Sequence, residues 1–560
     1  MTMDARCHSC GQRRQRVEYD AERAGDDNEI GFAPDTPFSH FPEMHDAFFT
    51  DDFPTPSLGN FFSLSNSTIA LGQSSLTLAL TEKGPLKDAP DDVEQGHGPA
   101  PTVPVGFFDS RLSKTRVAVF KKCSAILAVL CVFVLTALSI YWGVLFRVRD
   151  KSHLATIAVV NFDASLPPYD NVEPIVGPFV EQAIMNALAT QQYPLGYKIL
   201  PPAQFNNDPL AVRLAVHKEQ HWGAIIVNNN ATALLREAVE IGNASYDPFG
   251  AASVVITQAR NFDTYNQYIT PVLTQLAADI SFSWGREWTS QVLTNTSLSP
   301  VIYANAPQAL SPGIGFSMFN LRPFGPSTAV PPVSMGLVYL IILAFFSFGF
   351  FTPIHMRFVA STPSDPHPPL KFSHLVVWRY VAAITTYFFL SLCYSLVSLA
   401  FQIPFSRTPP AGLGSWPKTD VAEGANQFGH GTFPVYWMLN FLGMGALGLA
   451  CENMAMIIGQ PWTALWLVFW VVTNVSTAFY SIELAPSFYR WGYAWPLRQI
   501  VYATRTLMFG TNSRLALNFG ILVVWMVLGT ILFPFASWFM RWKGMREKKK
   551  KKGAAAAAKT

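Results

Sequence analysis

The stretch that decides the fold is a long apolar run. Residues 117–146 read VAVFKKCSAILAVLCVFVLTALSIYWGVLF, and no charged residue interrupts the run after Lys121 and Lys122. A helix needs about 20 apolar residues to cross the hydrocarbon core of a bilayer. The run lies more than a hundred residues into the sequence, which is too late for a cleaved signal peptide. It therefore predicts a transmembrane anchor helix over 111–147.

The composition also fits a membrane protein. Hydrophobic residues make up 50% of the 560 residues and charged residues only 14%, against about 25% in soluble proteins. The formal net charge of +3 gives no indication of a nucleic-acid partner. Six cysteines leave too few in any one segment for a disulfide framework. The composition favours a chain whose main partner is the lipid bilayer.

Further apolar runs fill the C-terminal half. They cover 333–351, 375–401, 433–458, 462–482 and 515–539. Each is close to the length that a helix needs to cross a bilayer. We predict a polytopic α-helical membrane protein with about six transmembrane helices, five of them clustered over 333–540.

Basic residues set the predicted orientation. Five of them stand before the uninterrupted apolar stretch that begins at Cys123: Arg111, Lys114, Arg116, Lys121 and Lys122. The positive-inside rule therefore makes 148–332 extracytoplasmic and 541–560 a basic cytoplasmic tail, with both termini in the cytoplasm. The lysines at 548–552 could instead attract anionic lipids, but fixing the topology is the preferred interpretation. The predicted external segment 483–514 disagrees, because it carries Arg490, Arg498, Arg505 and Arg514.

Residues 1–110 mix acidic patches with proline, serine and glycine and show no sustained period. This composition predicts a disordered cytoplasmic tail. Cys7 and Cys10 have the spacing of zinc ligands, but no second pair follows nearby. We interpret them as two thiols of the tail.

Residues 148–332 alternate β-rich and helical stretches. Strands are predicted over 155–160, 195–200, 222–227 and 252–257. Helices are predicted over 178–189, 210–220 and 231–241, with a long amphipathic helix over 264–293. This alternation is typical of an α/β domain with a mostly parallel sheet. The segment therefore predicts a large extracytoplasmic α/β domain between the first two transmembrane helices.

Three glycosylation triplets lie in that segment and predict a glycoprotein. They begin at Asn230, Asn243 and Asn295. Two more, at Asn66 and Asn474, fall in the predicted tail and in a predicted helix. These two are not expected to be modified.

Catalytic motifs are absent from the sequence. It contains no phosphate-binding G-x-x-x-x-G-K-[ST] loop, G-x-S-x-G elbow or H-E-x-x-H zinc helix. We expect no cofactor and no enzyme activity, so any ATPase must be a separate polypeptide. His217 and His221, spaced i and i+4 on the helix predicted there, could hold a metal. Without a third ligand, a polar helix surface is the preferred interpretation.

Polar residues inside the apolar runs are the candidate functional residues. Glu452 and Asn453 lie one to two turns from the predicted cytoplasmic end of the fourth helix, and Asn440, Asn474 and Glu483 are similar candidates. A carboxylate at membrane depth costs about 2.5 to 3.5 kcal/mol. Glu452 is either a proton or substrate relay or a carboxylate that is hydrated or paired near the interface. Interhelical hydrogen bonding is the plainer role for Asn440, Asn474 and Glu483.

Small and aromatic residues predict the local geometry of the cluster. Residues 443–450 read GMGALGLA, which allows close helix contacts. Pro461 in the segment 459–462 forces a tight turn between the fourth and fifth helices. Residues 485–499 combine aromatic residues, prolines and arginines, which predicts a short helix or re-entrant element at the interface.

Four motifs support a family resemblance: GPF at 177–179, WGAIIV at 222–227, NLRPF at 320–324 and YAWP at 493–496. With them the sequence resembles, over about 111–543, the fungal nitrosoguanidine-resistance family. Its members carry a domain of unknown function, DUF3533, related to the membrane part of ABC-2-type transporters and to phage-infection-type proteins. The resemblance implies a membrane protein linked to resistance to toxic compounds, without catalytic residues to carry over.

Two functions follow as hypotheses. The first is a permease that exports or redistributes hydrophobic compounds or lipids, alone, as a homo-oligomer, or with a separate ATPase or other membrane protein. The second is a non-transporting scaffold or regulator whose external domain binds a partner. The expected location is the plasma membrane or the endoplasmic reticulum.

Overall fold

A computed structural model of the protein describes residues 106–294, 304–359, 366–403, 405 and 428–557. The Cys7–Cys10 pair, the candidate Asn295 and nearly all of the predicted tail lie outside these residues. The main helices are α1 (Ser113–Gly143), α2 (Val176–Thr190), α3 (Pro209–His217), α4 (Ala231–Ile241), α5 (Thr270–Thr294), α6 (Val338–Met356), α7 (Phe372–Ala400), α8 (Thr432–Ile458), α9 (Thr463–Ala478), α10 (Pro496–Phe509) and α11 (Leu515–Ala557).

The chain is a multi-pass membrane protein by the length and hydropathy of its helices. Five helices in the described part are long and apolar enough to cross a bilayer: α1, α6, α7, α8 and α11. The remaining predicted crossing, over 462–482, corresponds to α9, which has only 16 residues. At 1.5 Å per residue this helix is about 24 Å long, somewhat less than the core of a typical bilayer.

A five-stranded sheet lies between α1 and α6 in sequence. Its strands are β1 (Thr156–Asn161), β2 (Gly196–Leu200), β3 (Gly223–Val227), β4 (Ala252–Ile256) and β5 (Phe316–Asn320). The strand order is β2-β1-β3-β4-β5, and every pairing is parallel except β3 with β4. The predicted α/β architecture and its mostly parallel sheet are confirmed. The edge strand β5 was not predicted.

Helices cover both faces of this sheet. Alternate residues of β1 enter two different cores, with Ile157 and Val159 on one face and Ala158 and Val160 on the other. The first core contains residues of α2, α4 and α5, and the second contains residues of α3. This period-2 division is what a strand buried on both faces requires.

The α/β domain contacts the segment that joins α9 to α11. Arg322 donates from Nε to the carbonyl of Gly510 at 2.8 Å, and Arg505 donates to the carbonyl of Arg260 at 2.8 Å. Arg514 forms an ion pair with Glu219 at 3.2 Å. Arg505 and Arg514 are thus bound to the domain. Two of the four arginines counted over 483–514 therefore bind groups of this domain.

The predicted tight turn and the predicted short helix are both present. α8 ends at Ile458, Gly459 has a φ of 78°, and α9 begins at Thr463. Between α9 and α11, residues Ser487–Ala494 form a 3₁₀ turn, and α10 follows with nearly all of its residues buried. The 3₁₀ turn lies within the predicted element 485–499, whereas α10 shares only residues 496–499 with it and packs inside the helix cluster.

Candidate functional site

A row of polar residues runs along the contact between α7 and α8. On α7 the row contains Arg379, Tyr387, Ser391, Ser395 and Ser398, and on α8 it contains Tyr436, Asn440 and Glu452, all of them buried. On α7 the spacings of three, four or eight residues keep the set along one side of the helix, and on α8 Tyr436 and Asn440 are four residues apart while Glu452 lies 12 residues further on. We call this row the polar seam. It lies between two helices that both qualify as membrane spans.

Hydrogen bonds join the two sides of the polar seam. At one end the hydroxyls of Ser398 and Tyr436 lie 3.1 Å apart, and Asn440 donates to Ser395 at 2.9 Å. At the other end Arg379 donates from Nη2 to Glu452 Oε1 at 3.1 Å. Successive contacts descend α7 and ascend α8, as antiparallel helices require. The seam therefore extends over most of the length of the helix pair.

The Arg379–Glu452 ion pair is almost completely removed from solvent. The exposed fraction is 3% for the Arg379 side chain and 6% for that of Glu452. A single buried charge at membrane depth is costly, and a partner of opposite charge offsets part of that cost. Glu452 was interpreted either as a relay or as a hydrated or paired carboxylate. In this conformation it is paired with Arg379.

Gly448 allows the helices to approach at the centre of the seam. A Cβ atom at Gly448 would lie 2.7 Å from Ala344 Cβ of α6 and 2.7 Å from Tyr387 Cζ of α7. Both distances are shorter than real carbon contacts. Glycine at this position thus brings α6, α7 and α8 together, as the small residues of 443–450 predict.

A small cavity adjoins the ion pair. Its volume is about 10 Å³, and its walls include Ser347, Thr352, His355, Arg379 and Glu452. His355 Nδ1 lies 3.1 Å from Trp378 Nε1, which is a donor only, so Nδ1 accepts and the remaining ring nitrogen, Nε2, carries the proton. A cavity of this size has room for about one water molecule. Polar groups of three helices thus meet at one end of the seam.

The predicted polar candidates do not form a single site. Glu452 and Asn440 both belong to the polar seam, but Asn453 donates to the carbonyl of Gly529 in α11 at 2.9 Å. Asn474 accepts from the backbone N–H of Leu497 at 3.1 Å and so satisfies the first turn of α10. Glu483 lies 4.0 Å from Arg498. Asn453 and Asn474 thus make contacts between helices, which for Asn474 is the plainer role stated from the sequence.

Sequence reasoning missed Arg379, which pairs with the principal candidate. The signal was present, because Arg379 is the only charged residue between 375 and 401. Arg379 lies near the start of the apolar run 375–401, and Glu452 lies near the end of the following run, 433–458. In two antiparallel helices these ends lie side by side. A buried carboxylate calls for a positive partner at equal depth, and Arg379 meets that requirement.

The two histidines do not share a helix. α3 ends at His217, and Glu219 has a positive φ of 61°, so the predicted helix over 210–220 is wrong at its C-terminal end. Burial and the nearby Lys198 ammonium lower the pKa of His221. Among the residues described in the structure, no group of three or more histidine, cysteine, aspartate or glutamate side chains is placed to hold a metal ion.

The carboxyl edge of the sheet holds an internal carboxylate. Asp163, just after β1, accepts from the backbone N–H of Gly177 at 2.9 Å through Oδ2. Its Oδ1 accepts from the N–H of Thr232 at 2.9 Å, and its Oδ2 accepts from the Thr232 hydroxyl at 2.6 Å. These donors lie at the N-termini of α2 and α4, where helices attract anions. Asp163 occupies the position at which a doubly wound sheet usually binds a ligand.

Two of the three glycosylation candidates are described. Asn230 directly precedes α4, and Asn243 accepts from the N–H of Ser245 at 3.0 Å in a turn after that helix. Both residues are partly exposed. They lie in the α/β domain and close to one another in sequence.

Comparison with known proteins identifies a similar protein and a matching family model. The chain is 24% identical over 470 residues to the uncharacterized endoplasmic reticulum membrane protein YJR015W of Saccharomyces cerevisiae, covering 77% of this chain and 82% of the relative. No solved structure matches the chain significantly. The family model described as a protein of unknown function, DUF3533, matches residues 126–531, which include the α/β domain, the polar seam and α10. With that match over most of its length, the chain belongs to the DUF3533 family.

Proposed function

We propose that this protein is a permease-type membrane protein that exports or redistributes hydrophobic compounds or lipids and so contributes to resistance to toxic compounds. The observation that carries the proposal is the Arg379–Glu452 ion pair inside the apolar helices. Ionisable residues at membrane depth are costly and characteristically mark transport pathways. The resemblance to the nitrosoguanidine-resistance family and to ABC-2-type permeases points to the same class.

The topology proposed with this function has six crossings and an extracytoplasmic α/β domain. α9 supports the sixth crossing, because its first turn lies near the end of α8 while Phe479, just after it, accepts from Asn261 of the domain at 3.2 Å. Both termini are then cytoplasmic. The membrane is that of the endoplasmic reticulum, as for the yeast relative, or the plasma membrane.

Transport requires the polar seam to open. The cavity beside the pair holds about one water molecule, so a hydrophobic compound cannot be accommodated there in this conformation. Separation of α7 from α8 would break the contacts Ser398–Tyr436, Asn440–Ser395 and Arg379–Glu452 and expose two rows of polar groups. The proposed driver of this motion is a separate ATPase or another membrane protein, since the sequence carries no phosphate-binding loop.

Flux measurements on variants of the pair test the proposal. Uptake and efflux of a fluorescent hydrophobic cation and of a labelled phospholipid are compared in cells with wild type, Glu452→Gln or no gene, with the two proteins at matched abundance in their membrane. We expect deletion and Glu452→Gln both to raise retention. Unchanged flux in the deletion strain would overturn the transport function.

A double variant separates a transport role from a structural one. Arg379→Met with Glu452→Gln removes both charges and leaves no unpaired ion in the seam. If the pair acts in transport, this variant reaches the membrane at normal abundance but retains the probes as the deletion does. Normal flux in the double variant would show that the Arg379–Glu452 pair has a structural role and no role in transport.

A second candidate function is a non-transporting scaffold or regulator whose α/β domain binds a partner. The observation that favours it is the closed packing of the seam at Gly448, where three helices are in contact. The measurement that decides is flux of the same probes through liposomes containing only the purified protein. Substrate movement without another component would exclude the scaffold.

A further inference from the structure

A second cavity lies where the α/β domain meets the ends of α1 and α9. Its volume is about 20 Å³. One wall is apolar, with Val144, Val148 and Leu484, and the other carries Asp263, Tyr268 and Tyr480. We call it the junction cavity. It lies beyond the last turns of two apolar helices, α1 and α9, which is the level of the headgroups when these helices cross the bilayer.

Two hydrogen bonds to the segment after α9, one from the α/β domain and one from α1, hold the walls of the junction cavity together. The hydroxyls of Thr264 and Ser481 lie 2.9 Å apart, and those of Tyr141 and Tyr480 lie 3.4 Å apart. A π-helical turn over Tyr265–Ile269 adds one residue per turn just before α5 and so sets the direction of Tyr268. Such π-helical turns are frequent at functional sites. The cavity is therefore a built part of the junction.

The Asp263 carboxylate lines the junction cavity and has no hydrogen-bond donor among the described residues. It is only partly exposed, and among the residues that the structure describes none donates a hydrogen bond to it or forms an ion pair with it. The charged neighbour Arg505 donates instead to the carbonyl of Arg260 and lies beside the Tyr502 ring. A carboxylate that has no partner of its own attracts a cation through its charge and accepts its hydrogen bonds.

The size of the junction cavity restricts the cation. A volume of about 20 Å³ admits one or two water molecules. A primary ammonium group is close to water in size and offers three donors, whereas a trimethylammonium group is several times larger. The geometry favours a primary ammonium over a quaternary one.

The apolar side of the cavity continues onto the surface of α1. Leu145 lines the cavity and is 41% exposed, and Trp142 and Phe146 beside it are 66% and 63% exposed. Apolar side chains in this position face lipid when α1 spans the bilayer. An alkyl chain attached to the ammonium group would lie along this surface.

We propose that the junction cavity binds a primary ammonium group, with Asp263 as its counter-ion and Tyr268 and Tyr480 beside it. When the ammonium is that of an amphiphile, the alkyl chain lies against the end of α1. The ammonium could belong to a bilayer amphiphile or to a small soluble amine. The proposal concerns binding alone and does not depend on the transport function.

Photo-crosslinking to the full-length protein in phosphatidylcholine nanodiscs tests the proposal. The probe is a 12-carbon primary amine with a diazirine beside its nitrogen, and crosslinks are mapped by mass spectrometry. We expect labelling of 263–268 and 480–484 that excess dodecylamine removes. Dodecyltrimethylammonium and dodecanoate should compete at least about tenfold less well. Competition by ethanolamine alone would identify a soluble amine as the source, and competition only by dodecylamine or phosphatidylethanolamine a bilayer amphiphile.

Variants of the aspartate provide the control. Asp263→Asn should reduce labelling about tenfold, Asp263→Glu should retain most of it, and Asp170→Asn, at an exposed aspartate of the same domain, should not change it. Equal competition by the ammonium, trimethylammonium and carboxylate compounds overturns the proposal, and so does full labelling of Asp263→Asn. If Asp263→Asn fails to fold, the competition series on wild type still decides.

Discussion

Removal of one member of the Arg379–Glu452 pair is expected to destabilise the protein more than removal of both. Glu452→Gln leaves the Arg379 guanidinium buried without a counter-charge, and loss of one partner of a buried pair typically costs about 3 to 5 kcal/mol. Replacement of both by uncharged side chains is often close to neutral. The thermal unfolding midpoint of purified protein should fall furthest for Glu452→Gln. A double variant that unfolds at the lowest temperature would contradict this.

His221 should make the α/β domain sensitive to mild acid. Burial and the Lys198 ammonium lower the pKa of His221 in the folded state, so the unfolded chain takes up the proton first as the pH falls below about 6.5. Stability is then lost between that value and the lower folded pKa. We expect the unfolding midpoint to drop between pH 7.5 and pH 5.5, and to drop less in His221→Gln. Equal drops would assign the pH dependence to other groups.

At helix contacts, Gly448 and Gly349 form a matched pair. An alanine Cβ at Gly448 would lie 2.7 Å from Ala344 and Tyr387, whereas nothing lies within 4 Å of a Cβ at Gly349. Overpacking of this kind costs about 1 to 3 kcal/mol. Gly448→Ala should therefore lower the unfolding midpoint while Gly349→Ala leaves it unchanged or raises it slightly. If the two substitutions change the unfolding midpoint equally, α6, α7 and α8 can move apart to accommodate a methyl group at position 448 without measurable cost.

The first turns of α2 and α4 share the Asp163 carboxylate, and its removal should create an anion site. Asp163→Ala leaves the N–H groups of Gly177 and Thr232 without their acceptor. We expect this variant to lose stability and to regain part of it in sulfate or phosphate, because helix N-termini attract such anions. Wild type in the same salts is the control. If sulfate or phosphate changes the stability of Asp163→Ala no more than that of wild type, the helix N-termini have rearranged and offer no anion site.

Local patterns predicted most secondary structure but not the contacts between distant segments. The strands β1 to β4 and the helices around them follow from alternating or 3.6-residue periods and were predicted within a few residues. β5 reads FSMFN, contains no β-branched residue, and forms by pairing with β4 about 60 residues earlier. The antiparallel direction of β4 also depends on where the chain re-enters the sheet. Periodicity alone therefore predicts neither the presence of β5 nor the direction of β4.

The candidate site shows the same division. The burial of Glu452 and the close packing near Gly448 follow from hydropathy and from small residues. The partner Arg379 lies 73 residues away, and Asn474 caps a helix that begins 22 residues later. Such pairs depend on helix order and depth, which a single apolar run does not determine.

Glycosylation tests the sidedness of the entire chain. If the α/β domain is extracytoplasmic, the triplets at Asn230, Asn243 and Asn295 are available to the glycosylation machinery and the one at Asn66 is not. Enzymatic removal of N-glycans should increase gel mobility for wild type and for Asn66→Gln. It should have no effect when all three domain asparagines are changed to glutamine. Loss of the shift in Asn66→Gln alone would reverse the proposed orientation.

α11 is much longer than a membrane crossing requires. From Leu515 to Ala557 it extends about 65 Å, roughly twice the thickness of a hydrocarbon core. Lys548 follows Phe539, the last residue of the predicted apolar run, by nine residues, or about 14 Å along the axis. Salt screens lipid charge over about 8 Å. Because headgroups extend about 5 to 7 Å beyond the hydrocarbon core, the lysine run on an upright helix would begin about 7 Å past them, within the reach of lipid charge and on the same continuous helix that crosses the core.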